Sequence, residues 1–159
     1  MIDEGLALAR QADVPWMIQF GLLWLGDLVA VERDLDGAID RYREALQVKI
    51  DASRGMAAYG LGRCAGIFAA RGNYRHAARL FGVTSTMPLT EVGEFVLFGN
   101  RAEIAHEVAA VQLALGESEF AAAWAEGQAM TPEQAVAYVL VESQTGVSSL
   151  RSLEDNKNT

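Results

Sequence analysis

Apolar residues recur every three or four positions along most of the chain, a spacing that predicts amphipathic helices rather than strands. Ile2, Leu6 and Ala9 begin the pattern, and Ile39 and Tyr42 share a later stripe. Continued along the chain, the same spacing predicts eight helices, at about residues 3–12, 14–33, 34–50, 52–71, 73–84, 91–115, 118–130 and 131–141. The predicted fold class is therefore all-α.

Local residues mark where several of these helices begin and end. Asp13 can cap a helix whose first turn holds Pro15, because its carboxylate accepts from free amides and proline lacks an amide to satisfy. Asn73 is expected to cap another helix in the same way. Gly72 and Gly116 are expected helix ends, since glycine readily adopts the left-handed conformation that terminates a helix.

The C-terminal part of the chain has its own start and stop signals. Thr131–Gln134 combines an N-cap hydroxyl, a proline at the first helical position and a glutamine three residues after the cap. Residues 86–90 read as a loop, and residues 142–159 are polar and small, which predicts a flexible tail. The sequence thus predicts one helical domain over residues 1–141.

Two stretches of the chain, at about residues 14–50 and 53–86, carry the same pattern 39 residues apart. Seven positions of the first match seven of the second: Leu22, Leu25, Gly26, Val29, Ala38, Tyr42 and Ala45 pair with Leu61, Cys64, Ala65, Phe68, Ala77, Phe81 and Thr84. A helical hairpin cannot bury its apolar face alone, so repeated hairpins are expected to stack on one another and on the helices of residues 91–141.

Small residues occupy defined places in this repeat. Gly26 and Ala65 are expected to let paired helices approach closely, and Ala38 and Ala77 to receive large side chains across the hairpin. The pattern resembles the tetratricopeptide signature, large-x-x-Leu-Gly-x-x-aromatic followed by Ala-x-x-x-aromatic-x-x-Ala. It departs from that signature in its period of 39 rather than about 34 residues and in Thr84, which replaces the last alanine. The resemblance implies a right-handed superhelical stack of antiparallel hairpins.

The second half of the chain narrows the resemblance. Residues 77–82, 115–127 and 131–138 are similar to the helical-repeat region of large bacterial regulators, including LuxR-type transcription factors and nucleotide-switched STAND-class ATPases and cyclases. That resemblance implies a sensor or docking arm in transcriptional regulation or signal transduction. The sequence has no Gly-x-x-x-x-Gly-Lys-Ser/Thr loop, and no helix-turn-helix is expected from the residues after Val141, so the family's catalytic and DNA-binding residues have no counterparts to map onto.

The first predicted helix resembles the second half of a repeat without its first half. Its apolar stripe then lacks a cover. We therefore expect either self-association, for example as a homodimer, or an exposed apolar end.

Composition and charge exclude some functions. The chain has 13 basic and 21 acidic residues, and a net charge of −8 opposes binding of nucleic acid. No signal peptide opens the sequence and no uncharged run reaches the length of a membrane span, so a cytoplasmic protein without a membrane role is expected. Arg63, Arg71, Arg75 and Arg79 are close in sequence; a solvated surface is the favoured interpretation, with an anion site as the alternative.

Three patterns carry potential chemistry, and each has a simpler explanation. Gly60–Ala65 satisfies a loose dinucleotide fingerprint, but it falls inside a predicted helix, where small residues serve packing. Glu103 and His106 have a di-metal spacing but lack the additional ligands such a site needs. Cys64 aligns with a core leucine and is expected to be buried and inert. No catalytic residue, metal or cofactor is therefore predicted.

Tryptophans are assigned to packing rather than to a site. This applies to Trp24 and Trp124 and also to Trp16, whose place at a helix start allows exposure.

By its resemblance to tetratricopeptide stacks, the chain is predicted to have a concave groove lined by the first helix of each pair. Its main candidates for binding are Phe20, Leu23, Asp27, Val31, Tyr59 and Arg63, with Ala30, Gly62, Gly66 and Ala69 between them. These side chains are mostly apolar or small, which favours a protein partner such as an apolar helix or a second copy. Two alternatives stay open: the groove binds a small-molecule effector, or later helices of the chain cover it.

Overall fold

The computed structural model describes residues 2–48, 54–87 and 101–141. Within these ranges the chain forms eight helices and no strand, which confirms the predicted all-α fold. They are α1 (Ile2–Gln11), α2 (Pro15–Val31), α3 (Leu35–Gln47), α4 (Arg54–Ala70), α5 (Tyr74–Thr86), α6 (Arg101–Leu115), α7 (Glu117–Gln128) and α8 (residues 132–141).

Some predictions fall outside the described residues. They are the end of the helix at 34–50, the start of the helix at 52–71, most of the loop at 86–90, the first part of the helix at 91–115 and the tail at 142–159. Among the described residues, no helix combines the length and apolar character required to cross a bilayer.

The 39-residue repeat is visible in the helix boundaries themselves. The helices α2 and α4 both contain 17 residues, and α3 and α5 both contain 13. Helices α3 and α5 begin and end 39 positions apart, and the last residues of α2 and α4 are also 39 positions apart. The repeat predicted from side-chain types is therefore also a repeat of backbone structure.

The turns inside the two pairs are also equivalent. Arg33 and Gly72 both adopt a left-handed conformation, with φ of 63° and 79°. The following amides, those of Asp34 and Asn73, donate to the carbonyls five residues earlier, at 3.3 and 2.8 Å. These bonds define a Schellman helix end, which satisfies carbonyls that the helix itself leaves free.

The α1–α2 connection uses the same turn, which corrects the predicted role of Asp13. Asp13 has a φ of 52°, and the next amide, that of Val14, donates to the Ala9 carbonyl at 3.0 Å. Asp13 thus ends α1, while Val14 holds the N-cap position of α2 without a side-chain bond. Pro15 does occupy the first turn, as predicted.

Packing within the first pair is antiparallel and close. Gln19 donates to the Ala45 carbonyl at 3.1 Å near the start of α2, whereas Tyr42 lies against Gly26 farther along. A Cβ on Gly26 would lie 2.7 Å from Cδ1 of the Tyr42 ring, so only glycine fits without displacing that ring. Apart from Val29 and Thr84, which are half-buried, the repeat positions are buried, which agrees with their predicted role in packing.

Helices α6, α7 and α8 complete the core around the second pair. Helix α7 packs along α5, where Gly82 and Gly127 bring the two backbones together. Helix α8 reaches α3, because Arg43 donates to the Val139 carbonyl at 3.1 Å.

The start of α8 is the predicted capping box. The Thr131 amide donates to Gln134 Oε1 at 2.8 Å, and the Gln134 amide donates to Thr131 Oγ1 at 3.2 Å. Met130, which the sequence placed at the end of the preceding helix, lies instead in the turn before α8, because α7 ends at Gln128.

The apolar stripe of α1 is covered, contrary to the prediction of an open end there. Leu6 and Ala9 are buried, and Leu6 packs against Gly21 of α2. Most of the exposed large apolar side chains among the described residues lie on α2 instead.

Candidate functional site

The six groove candidates separate into three groups. Asp27, Tyr59 and Arg63 come together in one polar cluster, and Phe20 and Val31 lie on the outer side of α2. Leu23 was predicted to line the same surface but is buried, because Gly60 of α4 packs directly against its side chain.

The polar cluster is centred on the Asp27 carboxylate. Tyr42 Oη donates to Asp27 Oδ1 at 2.7 Å, and Tyr59 Oη donates to Oδ2. Arg63 Nε lies 2.9 Å from Oδ1. Since these residues come from α2, α3 and α4, one carboxylate ties the first helical pair to the second.

Arg63 extends the cluster to α6. Its Nη1 lies 3.5 Å from Glu103 Oε2, and the Glu107 carboxylate lies against Gly66, one turn farther along α4. Burial raises the pKa of Glu107, and repulsion from Glu103 adds to this, while the charge of Arg63 acts in the opposite direction.

Electrostatics keep the two tyrosine hydroxyls and the guanidinium of the cluster protonated. Burial raises the pKa of Tyr42 and of Tyr59, and the hydrogen bonds that both hydroxyls donate to Asp27 raise them further. Burial alone would lower the pKa of Arg63, but bonding to Tyr42 and the charge of Asp27 outweigh it, so that pKa is raised. Neither hydroxyl is thus poised to exchange a proton near neutral pH, and the cluster suits a structural role better than acid–base chemistry.

An apolar cavity of about 210 Å³ lies beside this cluster. Its lining comes from α4, α5, α6 and α7: Ala58, Tyr59, Gly62, Arg63, Phe81, Thr84, Ser85, Ile104, Val108 and Trp124. The hydroxyls of Thr84 and Ser85 donate to backbone carbonyls within α5, at 3.0 and 2.7 Å. Because the hydroxyls and the guanidinium of the lining already have partners, the cavity suits a neutral, largely apolar molecule.

A more polar cavity of about 300 Å³ lies on the other side of Arg63. Its wall includes Val31 of α2 and the carboxylates of Glu103 and Glu107 on α6. Anions are disfavoured there, because two carboxylates face a single guanidinium that Asp27 already neutralises.

The outer side of α2 carries a row of exposed large apolar side chains. Met17, Trp24, Leu28 and Val31 are 43%, 51%, 49% and 80% exposed. Phe20 is half-buried beside them, its ring centre 5.6 Å from that of Trp24. We call these five residues the α2 stripe.

The α2 stripe corrects the packing role predicted for Trp24, which is half exposed. Met17 and Leu28 are not among the groove residues predicted from the sequence. The sequence pattern that could have identified them is the seven-residue spacing of Met17, Trp24 and Val31, which places these three on one side of a helix. Leu28, four residues after Trp24, lies on the same side. The stripe carries no charge, since Asp27 is the only charged residue of α2 and its carboxylate is directed at the polar cluster.

The four neighbouring arginines do not form one anion site. Arg63 pairs with Asp27, Arg71 with Asp36, and Arg75 with Glu119 and Glu126. Arg79 pairs with Glu126 as well, at 2.6 Å. Each guanidinium is thus met by a carboxylate from another helix.

The remaining candidates lie within the packing. Gly60–Ala65 is the middle of α4, where Gly60 contacts leucines of α2 and α3. Cys64 is fully buried, and burial raises the pKa of its thiol to about 12, as expected for an inert cysteine. Glu103 faces Arg63, and within the described ranges no group of three or more metal-ligating side chains is placed to hold an ion.

No family model, curated protein or solved structure matches the chain in the three comparisons made with known proteins.

Proposed function

We propose that this chain is a non-catalytic helical-repeat module of tetratricopeptide type that binds another protein chain through the α2 stripe. Its place would be the sensor or docking arm of a bacterial transcriptional or signalling regulator, as the sequence resemblance implies. The observation that carries the proposal is the stripe itself, a row of exposed apolar side chains without charge on a helix whose opposite side is buried in the core.

Energetic considerations support an interaction surface there. Isolated exposed apolar side chains are normal, but a contiguous group marks binding sites on soluble proteins. Tryptophan is the residue most enriched among those that dominate binding energy, and Trp24 lies at the centre of the stripe. The neighbouring polar cluster fixes the orientation of α2 by tying Asp27 to Tyr42, Tyr59 and Arg63, so the surface is rigid before a partner arrives.

Site-specific photocrosslinking in cells tests this proposal. A photoreactive phenylalanine analogue at position 24 should crosslink to a defined protein, identified by mass spectrometry. The same group at Gln112, an exposed polar position on α6, is the matched control and should give no such product. If neither position captures a protein, or both capture the same mixture, the α2 stripe is not an interaction surface.

The apolar cavity favours a second function, binding of a small effector. Its lining combines Tyr59 and Arg63 with mostly apolar side chains, which suits a neutral molecule that carries one polar group. A metabolite that binds there should raise the melting temperature by mass action. Gly62 offers a control, because a Cβ at this position would meet no atom within 4 Å and a larger side chain would fill the cavity.

Gly62→Leu should therefore abolish the ligand-induced shift while the protein remains folded. A shift that persists in this variant would place the ligand elsewhere. No shift with any metabolite would leave the cavity as a packing defect.

A further inference from the structure

We infer that the partner of the α2 stripe is the α2 stripe of a second copy of this chain, packed antiparallel about Trp24. This inference rests on the proposed function, since it names the partner of the same surface. It is carried by the repeat, by the charge of the two equivalent faces, and by the symmetry of the stripe.

The repeat shows how such a face accepts a helix. Positions 39 residues after the α2 stripe form the corresponding face of α4: Met56, Tyr59, Arg63, Ile67 and Ala70. Helix α6 lies on that face, where Glu103 pairs with Arg63 and Ile104 and Val108 line the cavity with Tyr59. One copy of the face is thus occupied by a helix, and the other is open.

The two faces differ in the charge that their occupant must supply. Arg63 at the centre of the α4 face is met by Glu103, with Glu107 nearby on α6. The equivalent residue on α2 is Trp24, which offers no charge. An acidic helix such as α6 would bury its carboxylates unpaired there, so the occupant of the α2 stripe must be uncharged at its contact side.

Helix α2 itself meets this requirement. Apart from Asp27, which is directed at the polar cluster, the helix is free of charge over its 17 residues. Each copy carries a net charge of −8, and the side chains of the stripe add no further charge to the contact.

The stripe is also complementary to itself. In an antiparallel pair centred on Trp24, Met17 faces the other copy's Val31, and Phe20 faces its Leu28. Trp24 then meets its own equivalent, as a two-fold interface requires. The helix runs from Pro15 to Val31, so this centre is also close to the middle of α2 and both ends remain in contact.

The area available sets the strength of the association. Full exposure of side chains of this size corresponds to roughly 150–250 Å² each, so the stripe offers roughly 500 Å² per copy. The pair would bury on the order of 1,000 Å², the lower limit of specific interfaces. The dimer should therefore be weak and dependent on concentration, and salt should strengthen it by screening the repulsion between two acidic copies.

Sedimentation velocity over a range of concentrations tests the inference. The wild-type chain should shift from monomer to dimer as concentration rises, and Trp24→Glu or Leu28→Glu should remain monomeric. Leu113→Glu is the matched control: Leu113 is 86% exposed on α6, outside the stripe, and the variant adds the same charge. It should dimerise as the wild type does. Circular dichroism confirms that each variant is folded.

Cysteine crosslinking tests the orientation. Trp24→Cys should form a disulfide-linked dimer on oxidation, because position 24 meets itself. Met17→Cys alone should not, since antiparallel packing separates the two copies of position 17 by roughly 20 Å at a rise of about 1.5 Å per residue. A mixture of Met17→Cys and Val31→Cys should crosslink. Cys64 is buried and does not compete.

The outcomes separate this inference from the proposed function. If only the two glutamate variants of the stripe lose the dimer, and the expected disulfides form, the inference and the proposed function are both supported. A wild-type chain that stays monomeric at high concentration and salt overturns the inference, as does a dimer that the glutamate variants leave intact. If the photoreactive group at position 24 then crosslinks to a different protein in cells, the proposed function stands although the dimer inference fails. If that group captures no protein, the inference and the proposed function both fail.

Discussion

Two glycine-to-alanine substitutions with the same chemistry should change stability in opposite directions. Gly26 and Gly62 both lie inside long helices, α2 and α4, and both are buried. A Cβ on Gly62 would enter open space, whereas one on Gly26 would press into the ring of Tyr42, 2.7 Å from Cδ1 and 2.9 Å from Cζ. That ring has little freedom to move, since its hydroxyl is bonded to Asp27 at 2.7 Å.

The expected magnitudes follow from these surroundings. Alanine in place of a helical glycine contributes about 0.5–1 kcal/mol, because less conformational entropy is lost on folding. Gly62→Ala should gain that amount. In Gly26→Ala the same gain is outweighed by overpacking, which costs about 1–3 kcal/mol. We therefore expect a net loss of about 1–2 kcal/mol in that variant.

Urea unfolding followed by circular dichroism measures the free energy of unfolding of both variants. The values are compared with one common m-value, the slope of that free energy against urea concentration. A third variant tests the cause. In the second pair, Ala65 and Phe81 occupy the positions of Gly26 and Tyr42. Phenylalanine has no hydroxyl to hold its ring in place, so an alanine is compatible with it at the facing position. Adding Tyr42→Phe to Gly26→Ala should therefore cost less than the two single changes together. If both glycine variants move stability in the same direction, the close approach of α2 and α3 is refuted.

Three further predictions concern stability and reactivity. The pKa values of Tyr42 and Tyr59 are raised in the folded protein, so both tyrosines ionise at lower pH in the unfolded chain. Their contribution to stability should be complete below about pH 10 and be lost above it. Alkaline unfolding curves should show this loss, and it should be less steep in Tyr59→Phe. Cys64, with a pKa of about 12, should resist thiol reagents at pH 8 in the folded protein and react at once in urea; equal rates in the two states would contradict its burial. Thr131→Ala removes one bond of the capping box and should lower the free energy of unfolding by about 1 kcal/mol, whereas no change in urea midpoint would mean that α8 unfolds independently.

Much of the helical architecture could be predicted from the sequence. Apolar spacing, the capping box at Thr131–Gln134 and the glycines at 72 and 116 act within a few residues of themselves, so a linear pattern contains them. The burial of Cys64 followed from its alignment with Leu25 across the repeat. Where a local residue has two uses, the prediction was wrong: Asp13 has a side chain suited to capping, but it adopts the left-handed turn instead.

Only the tertiary structure decided which faces are covered. Helical periodicity states that Leu23, Asp27 and Trp24 lie on neighbouring sides of α2, but not that α4 buries the first and binds the second while the third stays exposed. That outcome depends on α6 lying over α4 and not over α2, a contact between residues far apart in the chain. The periodicity of a sequence determines which side chains share a face, whereas long-range packing determines what each face meets.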